Sequence, residues 1–589
     1  MSHHLPAVAP AVTAEIVGAL SPRLRKRLDA VITKIADRPV IRDGDTVRIT
    51  VDDETGLELH APAGVVTTAD AIRCGCLLAP GCLHRAAIAS AAPVADPAAD
   101  PVADASSDPD AGQPSPDADA GPPQPPEAEE STATPEQRAA AGHLWAAGAA
   151  LLDTGIEGAG AVLQSELLRA AHTAKIAGLP RPAAAAVSVV TTLRSARSAD
   201  PAHRLADLTT AVLELLGTAH RLPDATGPEL AALRGTARQT YVPDGSLRLY
   251  GLFTEPLITA GGYAGAITWT AAADGRLYTV SDIAPGGPGR ATAAAGRTVR
   301  LGDTALTHRQ LSHAGLALSG ATVSPTGRLG AGAGVKAVQA AGAAWTDEPL
   351  AALWAPPAAQ QVARALHSQA PGADLLFFDV TILGPARETG GDCLLATCDD
   401  LTLRLTAAHD HPALAYRDNL RMLAALPGTS LRVVGRLLPD SRPSLQLLAA
   451  AHPADPARRV DLGLDRLQRA DLPSAAPPVA QLPTGREADR APLHLLRRRL
   501  EQAVAAGRPF LAVPGSLSAD AGQLRRSALP TAADLLAELQ RTATRRARDP
   551  FGRLLPADPT DFARAWLGAA LYTEAAETSL CAAAWQPEG

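Results

Sequence analysis

The stretch Ile72–Ser90, IRCGCLLAPGCLHRAAIAS, gathers three of the chain's six cysteines into nine residues and adds a histidine, spaced Cys74-x-Cys76-x5-Cys82-x-His84. Residues two apart on an extended chain project to the same side, so Cys74 and Cys76 form one arm of a pincer. Pro80-Gly81 turns the chain, which lets Cys82 and His84 approach from the other side. Three thiolates and one imidazole fill the tetrahedral shell of a structural Zn2+ and leave no position for water. A disulfide within the group leaves one thiol over and strains the Cys-x-Cys loop. The expected ligands are therefore Cys74, Cys76, Cys82 and His84, around one structural zinc ion. Such a centre carries a formal charge of about −1. Arg73 and Arg85 bracket it and are candidates either for offsetting that charge or for contacting a phosphate.

The pattern on either side is a small mixed module. Residues 12–38 read as helix, broken at Ser21-Pro22, with Leu24, Leu28, Val31, Ile32 and Ile35 on one face. Arg23, Lys26, Arg27 and Lys34 gather on its flank, a candidate basic patch that is either a solvated edge or a phosphate-facing surface. TVRITV alternates like a half-buried strand, DDETG turns, and LELHA returns as a hairpin. RAAIAS begins a helix after His84.

In this setting the chain resembles the SWIM-type zinc finger family. Cys-x-Cys and Cys-x-His, after a hairpin and before a short helix, map onto Cys74, Cys76, Cys82 and His84 without a gap. The resemblance covers residues 40–92, under a tenth of the chain. It implies a ββα-like zinc-dependent module that binds DNA or protein. A further similarity, to actinobacterial SWIM proteins encoded beside MoxR-type ATPases and von Willebrand A proteins, implies a partner in a multi-protein system.

Charge and composition narrow the rest. The net charge of −7 is concentrated: Ala91 to Gln137 holds eleven acidic residues and no lysine or arginine, leaving +4 for the remainder. Residues 1–90 balance ten basic against ten acidic side chains, so the module has no global attraction to a DNA backbone. Only four of the 54 Lys+Arg residues are lysine, a genomic bias that discounts arginine as a nucleic-acid signal. Six cysteines in 589 residues make no disulfide framework. With neither a signal peptide nor a long apolar run, the expectation is a soluble cytoplasmic protein, without membrane contact.

The chain reads as a multidomain α+β protein. Residues 1–92 form the zinc module with its preceding helices, and 93–135 a Pro/Ala/Asp-rich linker too poor in apolar residues to order itself. Residues 136–240 read as all-α and 241–370 as β-rich, with a hairpin turning at Asp274-Gly275. The strand and helix order in 371–452 suits an OB-like barrel with a helix between its third and fourth strands. Residues 453–589 read as mostly helical.

Other motifs carry little chemistry. GRLGAGAGVK (327–336) fails the phosphate-loop pattern because Val335 separates Gly334 from Lys336. His409 and His411 read as a polar cap before a helix, and Cys393, Cys398 and Cys581 as core residues. Phe377-Phe378 share one strand, so one ring should point inward and one outward, a thin basis for base stacking. HLLRRRLEQAV and ELQRTATRRARDPFGR are the strong basic clusters, read as solvated faces or docking sites for an acidic partner or nucleic acid. No hydrolase, metalloprotease or kinase signature occurs, and no small-molecule substrate is evident. The expected function is a zinc-binding adaptor, not an enzyme, whose partner is a protein or DNA. The competing reading is a protein-interaction scaffold whose finger is purely structural, and a third is an enzyme that uses the β-rich region.

Overall fold

A computed structural model describes residues 5–36, 38–51, 55–95, 132–201, 203–236, 241–259, 263–332, 334–368, 370–388, 391–473, 491–513, 515, 517–545, 549–553, 555 and 558–586. The acidic segment expected to be disordered lies almost wholly outside them, as do parts of the second basic cluster. The chain is α+β throughout and divides into two compact units. One comprises residues 1–238 and 492–571, the other 239–491 and 572–589.

The first unit begins with an antiparallel sheet of four strands, in the order Val40–Asp43, Thr46–Thr50, Gly56–His60 and Ile72–Cys74. The expected hairpin is its centre, with Val47 opposite Leu59 and Ile49 opposite Leu57. Strand alternation sends Val47, Ile49, Leu57, Leu59 and Ile72 into the core and Arg48, Glu58 and Arg73 to solvent. Val40–Asp43 was not foreseen as a strand; it joins through Gly44, whose φ of 58° suits a tight hairpin turn. Helices Pro10–Gly18, Leu28–Ala36 and Leu83–Ala91 cover the apolar face with Val12, Ile16, Leu28, Ile35 and Ile88.

The same unit continues as a helical array: Pro135–Gly158, Ala161–Ile176, Pro180–Arg197, Leu205–Arg221 and Gly227–Arg234. Thr134 and Gln137 form a reciprocal capping box at its start. The array and the four-stranded N-terminal module share a core and specific hydrogen bonds. Asp29 accepts from the Ala161 backbone N–H at 3.1 Å, Arg194 donates to the Ala92 carbonyl at 2.7 Å, and Ala161 is packed with Val12 and Ile16. Helices His494–Ala506, Ser518–Arg526 and Pro530–Thr544 belong here too.

The second unit holds two sheets. Five antiparallel strands run in the order Lys336–Ala340, Gly315–Val323, Val242–Ile258, Tyr263–Ala272 and Leu277–Pro285. The last two are the expected hairpin, with Gly275 at φ 83° in its turn. The other sheet has six strands: Leu401–Ala407, Gly391–Cys398, Leu375–Glu388, Ser430–Leu437, Ser444–His452 and Asp455–Asp461. A parallel pairing of Arg404–Ala407 with Ser444–Leu447 closes five of them into a ring, and helix Tyr416–Ala424 separates its third and fourth strands in sequence. Asp455–Asp461 falls in the segment read as helical. It begins Asp-Pro and is heavily charged, which suits a strand paired on one side only.

Candidate metal centre

Each candidate ligand is delivered by a different local device. Cys74 ends strand Ile72–Cys74 opposite Leu57, and Gly75 extends the ladder by donating to the Gly56 carbonyl at 3.0 Å. Gly75 has no left-handed φ and continues the extended strand. Cys76 opens a β-turn closed by Ala79 N–H to the Cys76 carbonyl at 3.1 Å. Cys82 is the N-cap of helix Leu83–Ala91, and His84 lies in its first turn. The four donor atoms lie within 4.8 Å of one another, and Cys74 Sγ is 3.7 Å from His84 Nδ1. Tetrahedral geometry with Zn–S near 2.3 Å and Zn–N near 2.0 Å requires an S···N separation of roughly 3.6 Å. The group can therefore hold one metal ion, and its donors are those zinc prefers.

Arg85 supplies an independent sign of fit. Its side chain is buried, and its guanidinium donates to the carbonyls of Ile72 at 2.6 Å, Pro80 at 2.7 Å and Ala69. Among the described residues no carboxylate pairs with it. A buried cation without a counterion is costly; a centre of charge about −1 next to it removes that cost. Arg73 points the other way, exposed on the solvent face of the sheet. Arg23, Lys26, Arg27 and Lys34 are exposed and make no ion pair among the described residues.

Without metal, the thiols do not ionise together. Burial pushes Cys74 up to about 12 and raises Cys82 as well. Cys76 also suffers desolvation, but the Leu78 and Ala79 backbone N–H groups and the neighbouring thiols outweigh it and lower its value. Metal binding must expel the protons held on Cys74 and Cys82. Affinity therefore falls as pH falls, about tenfold per pH unit for each proton displaced.

No protein-family model, curated protein or solved structure matches this chain.

The other sequence candidates fall into structural places. His409 Nδ1 accepts from the His411 N–H and His411 Nδ1 from the Ala413 N–H, so both cap the turn, although the helix begins later, at Tyr416. Phe377 and Phe378 do point to opposite faces, yet both are buried. Phe377 meets Trp354 edge-on at 5.1 Å and Phe378 packs on Trp585, so neither offers a stacking surface. Cys393, Cys398 and Cys581 are buried. Arg498 and Arg499 of the first basic cluster pair with Asp520, which makes much of that cluster internal wiring. Among the described residues no helix is long and apolar enough to cross a membrane. Sequence reasoning missed the exposure of Leu77 and Leu78, the central residues of the turn that Cys76 opens. Their signal was present: two large apolar residues where turns favour Gly, Pro, Asn or Asp.

Proposed function

We propose that this protein is a zinc-stabilised adaptor that binds a macromolecular partner, a protein in preference to DNA, and carries out no reaction of its own. The observation that carries the reading is the convergence of Cys74, Cys76, Cys82 and His84 beside a buried, otherwise uncompensated Arg85. We read the ion as Zn2+, the module around residues 40–92 as SWIM-type, and the ring of strands within 371–452 as OB-like. Four protein donors leave no open position for a substrate or water, which supports a structural role. Reduced thiolates suit the cytoplasm.

Charge placement favours a protein partner. Arg498 and Arg499 are ion-paired, and both Phe377 and Phe378 are core residues. The exposed cations Arg23, Lys26, Arg27 and Lys34 are few for a duplex, which demands many phosphate contacts. The resemblance to SWIM proteins encoded near MoxR-type ATPases and von Willebrand A proteins fits a member of a multi-protein assembly.

Metal analysis of the purified full chain tests the reading. We expect about one zinc per chain, and none in the Cys82→Ala variant, with loss of structure in the first unit by circular dichroism. A folded wild-type chain free of zinc refutes the proposal. Duplex DNA binding across a salt series decides the partner class: tight binding that collapses as salt rises favours DNA, whereas weak or salt-indifferent binding leaves the protein partner.

A further inference from the structure

Four exposed cations of the first unit have no use within its fold. Arg23, Lys26 and Arg27 follow one helical turn, in which the Lys26 N–H bonds the Pro22 carbonyl at 3.4 Å and the Arg27 N–H the Leu24 carbonyl at 3.0 Å. Spacings of three and four set Lys26 and Arg27 beside Arg23. Lys34 follows in helix Leu28–Ala36, exposed with Ala30 and Thr33, whereas Leu28 and Ile35 are buried. None of the four forms an ion pair with a described carboxylate. Asp29, the one acid between Pro22 and Ala36, is committed to the Ala161 N–H and to Arg197. Like charges at these spacings repel, so the cluster is held at a cost that an anion would offset.

The chain carries its own polyanion. Residues 96–131, outside the described residues, hold ten of the eleven acids between Ala91 and Gln137 and no lysine, arginine or histidine. Both flanks are anchored on the unit that bears the cations. Ala95 N–H donates to the Val8 carbonyl at 2.9 Å, and Thr132 bridges to Thr226. The intervening 36 residues have a contour length of about 120 Å, against a width of roughly 50 Å for a compact unit of this size. Length therefore sets no limit on reaching the patch. A tether at both ends keeps the carboxylates at high local concentration around it, and any outside polyanion has to displace them. Charge complementarity thus favours the chain's own segment over a nucleic acid.

We propose that the acidic segment 96–131 docks on the basic patch of Arg23, Lys26, Arg27 and Lys34 in the same molecule and keeps that surface from other polyanions. The proposal goes beyond the adaptor reading and does not rest on the metal.

A water-soluble carbodiimide, which joins an amine to a carboxylate in direct contact, tests this on the full chain. Only four lysines are present: Lys26 and Lys34 in the patch, Lys175 and Lys336 exposed elsewhere. An equal mixture of 15N-labelled and unlabelled chain is cross-linked at low salt, where screening is weak, and the linked peptides are read by mass spectrometry. We expect Lys26 and Lys34 to be joined to residues 96–131 within one copy, in excess over Lys175 and Lys336. Arg23→Glu/Arg27→Glu keeps both lysines and should cut these links about threefold or more, the worth of two exposed ion pairs, with circular dichroism unchanged. Links spread evenly over the four lysines, or unmoved by the double variant, overturn the proposal and leave the patch a solvated edge. Links mainly between labelled and unlabelled copies overturn it in favour of a second chain as the occupant. Heparin affinity is the second arm: replacing the ten acids of residues 96–131 by Asn and Gln should tighten it, and adding Arg23→Glu/Arg27→Glu should remove the gain. Equal heparin affinity of wild type and the neutralised chain also overturns the proposal.

Discussion

At the scale of single residues, Arg85 joins the chemistry of the metal site to the backbone around it. Its three hydrogen bonds go to carbonyls of the segment entering the site, the strand that carries Cys74 and the turn after Cys76. One guanidinium therefore fixes the backbone around Cys74, Cys76 and Cys82 and would place a positive charge beside the anionic centre of the proposed zinc site. These two roles separate by substitution. Arg85→Lys retains the charge but replaces a planar fork by a single ammonium, so zinc affinity should fall while the fold survives. Arg85→Gln removes the charge as well and leaves buried carbonyls unpaired, a loss of about 1–3 kcal/mol for each one stranded. Competition with a chromophoric chelator should rank zinc affinity as wild type, then Arg85→Lys, then Arg85→Gln. Equal affinities would mean that the guanidinium plays no part in holding the metal.

At the scale of elements, the module is joined to the helical array by a cap borrowed from a distant helix. Asp29 lies in helix Leu28–Ala36, yet its carboxylate accepts the backbone N–H of Ala161, the first residue of helix Ala161–Ile176. Gly160 makes the approach possible, since a Cβ there would sit 2.4 Å from an Asp29 oxygen. Arg197 adds an ion pair at 3.2 Å, but the Asp29 side chain is 47% exposed, so this contributes little. Asp29→Ala should destabilise the first unit by about 1 kcal/mol, the usual worth of a cap. Asp29→Asn, which keeps an acceptor oxygen, should lose much less; urea unfolding of both variants distinguishes cap from ion pair. This contact also marks the limit of what the sequence could tell. The convergence of Cys74, Cys76, Cys82 and His84, the hairpin at Asp274-Gly275 and the helical array were legible because spacing and periodicity are local signals. Strand Val40–Asp43 was missed although Asp43-Gly44 announces a turn, because Ile41 and Arg42 lie on an edge with little alternation to see. Asp29 meeting Ala161 has no local signature, because it joins residues 132 apart. The exposure of Leu77 and Leu78 was hidden for the opposite reason: an apolar residue read alone argues for burial.

At the scale of the whole molecule, the first unit is assembled from both ends of the chain, with residues 492–571 completing what residues 1–238 begin. The join is a crossing of two glycines. Helix Pro135–Gly158 opens at Gly155, with φ 67°, and the chain passes Gly507, with φ 76°, so closely that a Cβ on Gly155 would lie 2.5 Å from the Gly507 nitrogen. Beside them Arg508 is buried and pairs with Asp153 at 2.6 Å. A side chain at Gly507 meets the Asp153 carbonyl oxygen at 2.8 Å, and both are backbone contacts that no rotamer can relieve. Gly507→Ala thus combines a backbone conformation, φ 76° and ψ 174°, that only glycine adopts readily, at a cost of about 1–3 kcal/mol, with a clash. Gly44→Ala is the control, since its φ is also positive but open space surrounds it. Thermal unfolding should show Gly507→Ala to be the more damaging by about 2 kcal/mol or more. Because the segment 492–571 packs into the unit that carries the metal ligands, the same variant should also release zinc at lower denaturant than Gly44→Ala does. If zinc release and unfolding respond equally in the two variants, the crossing does not hold the unit together.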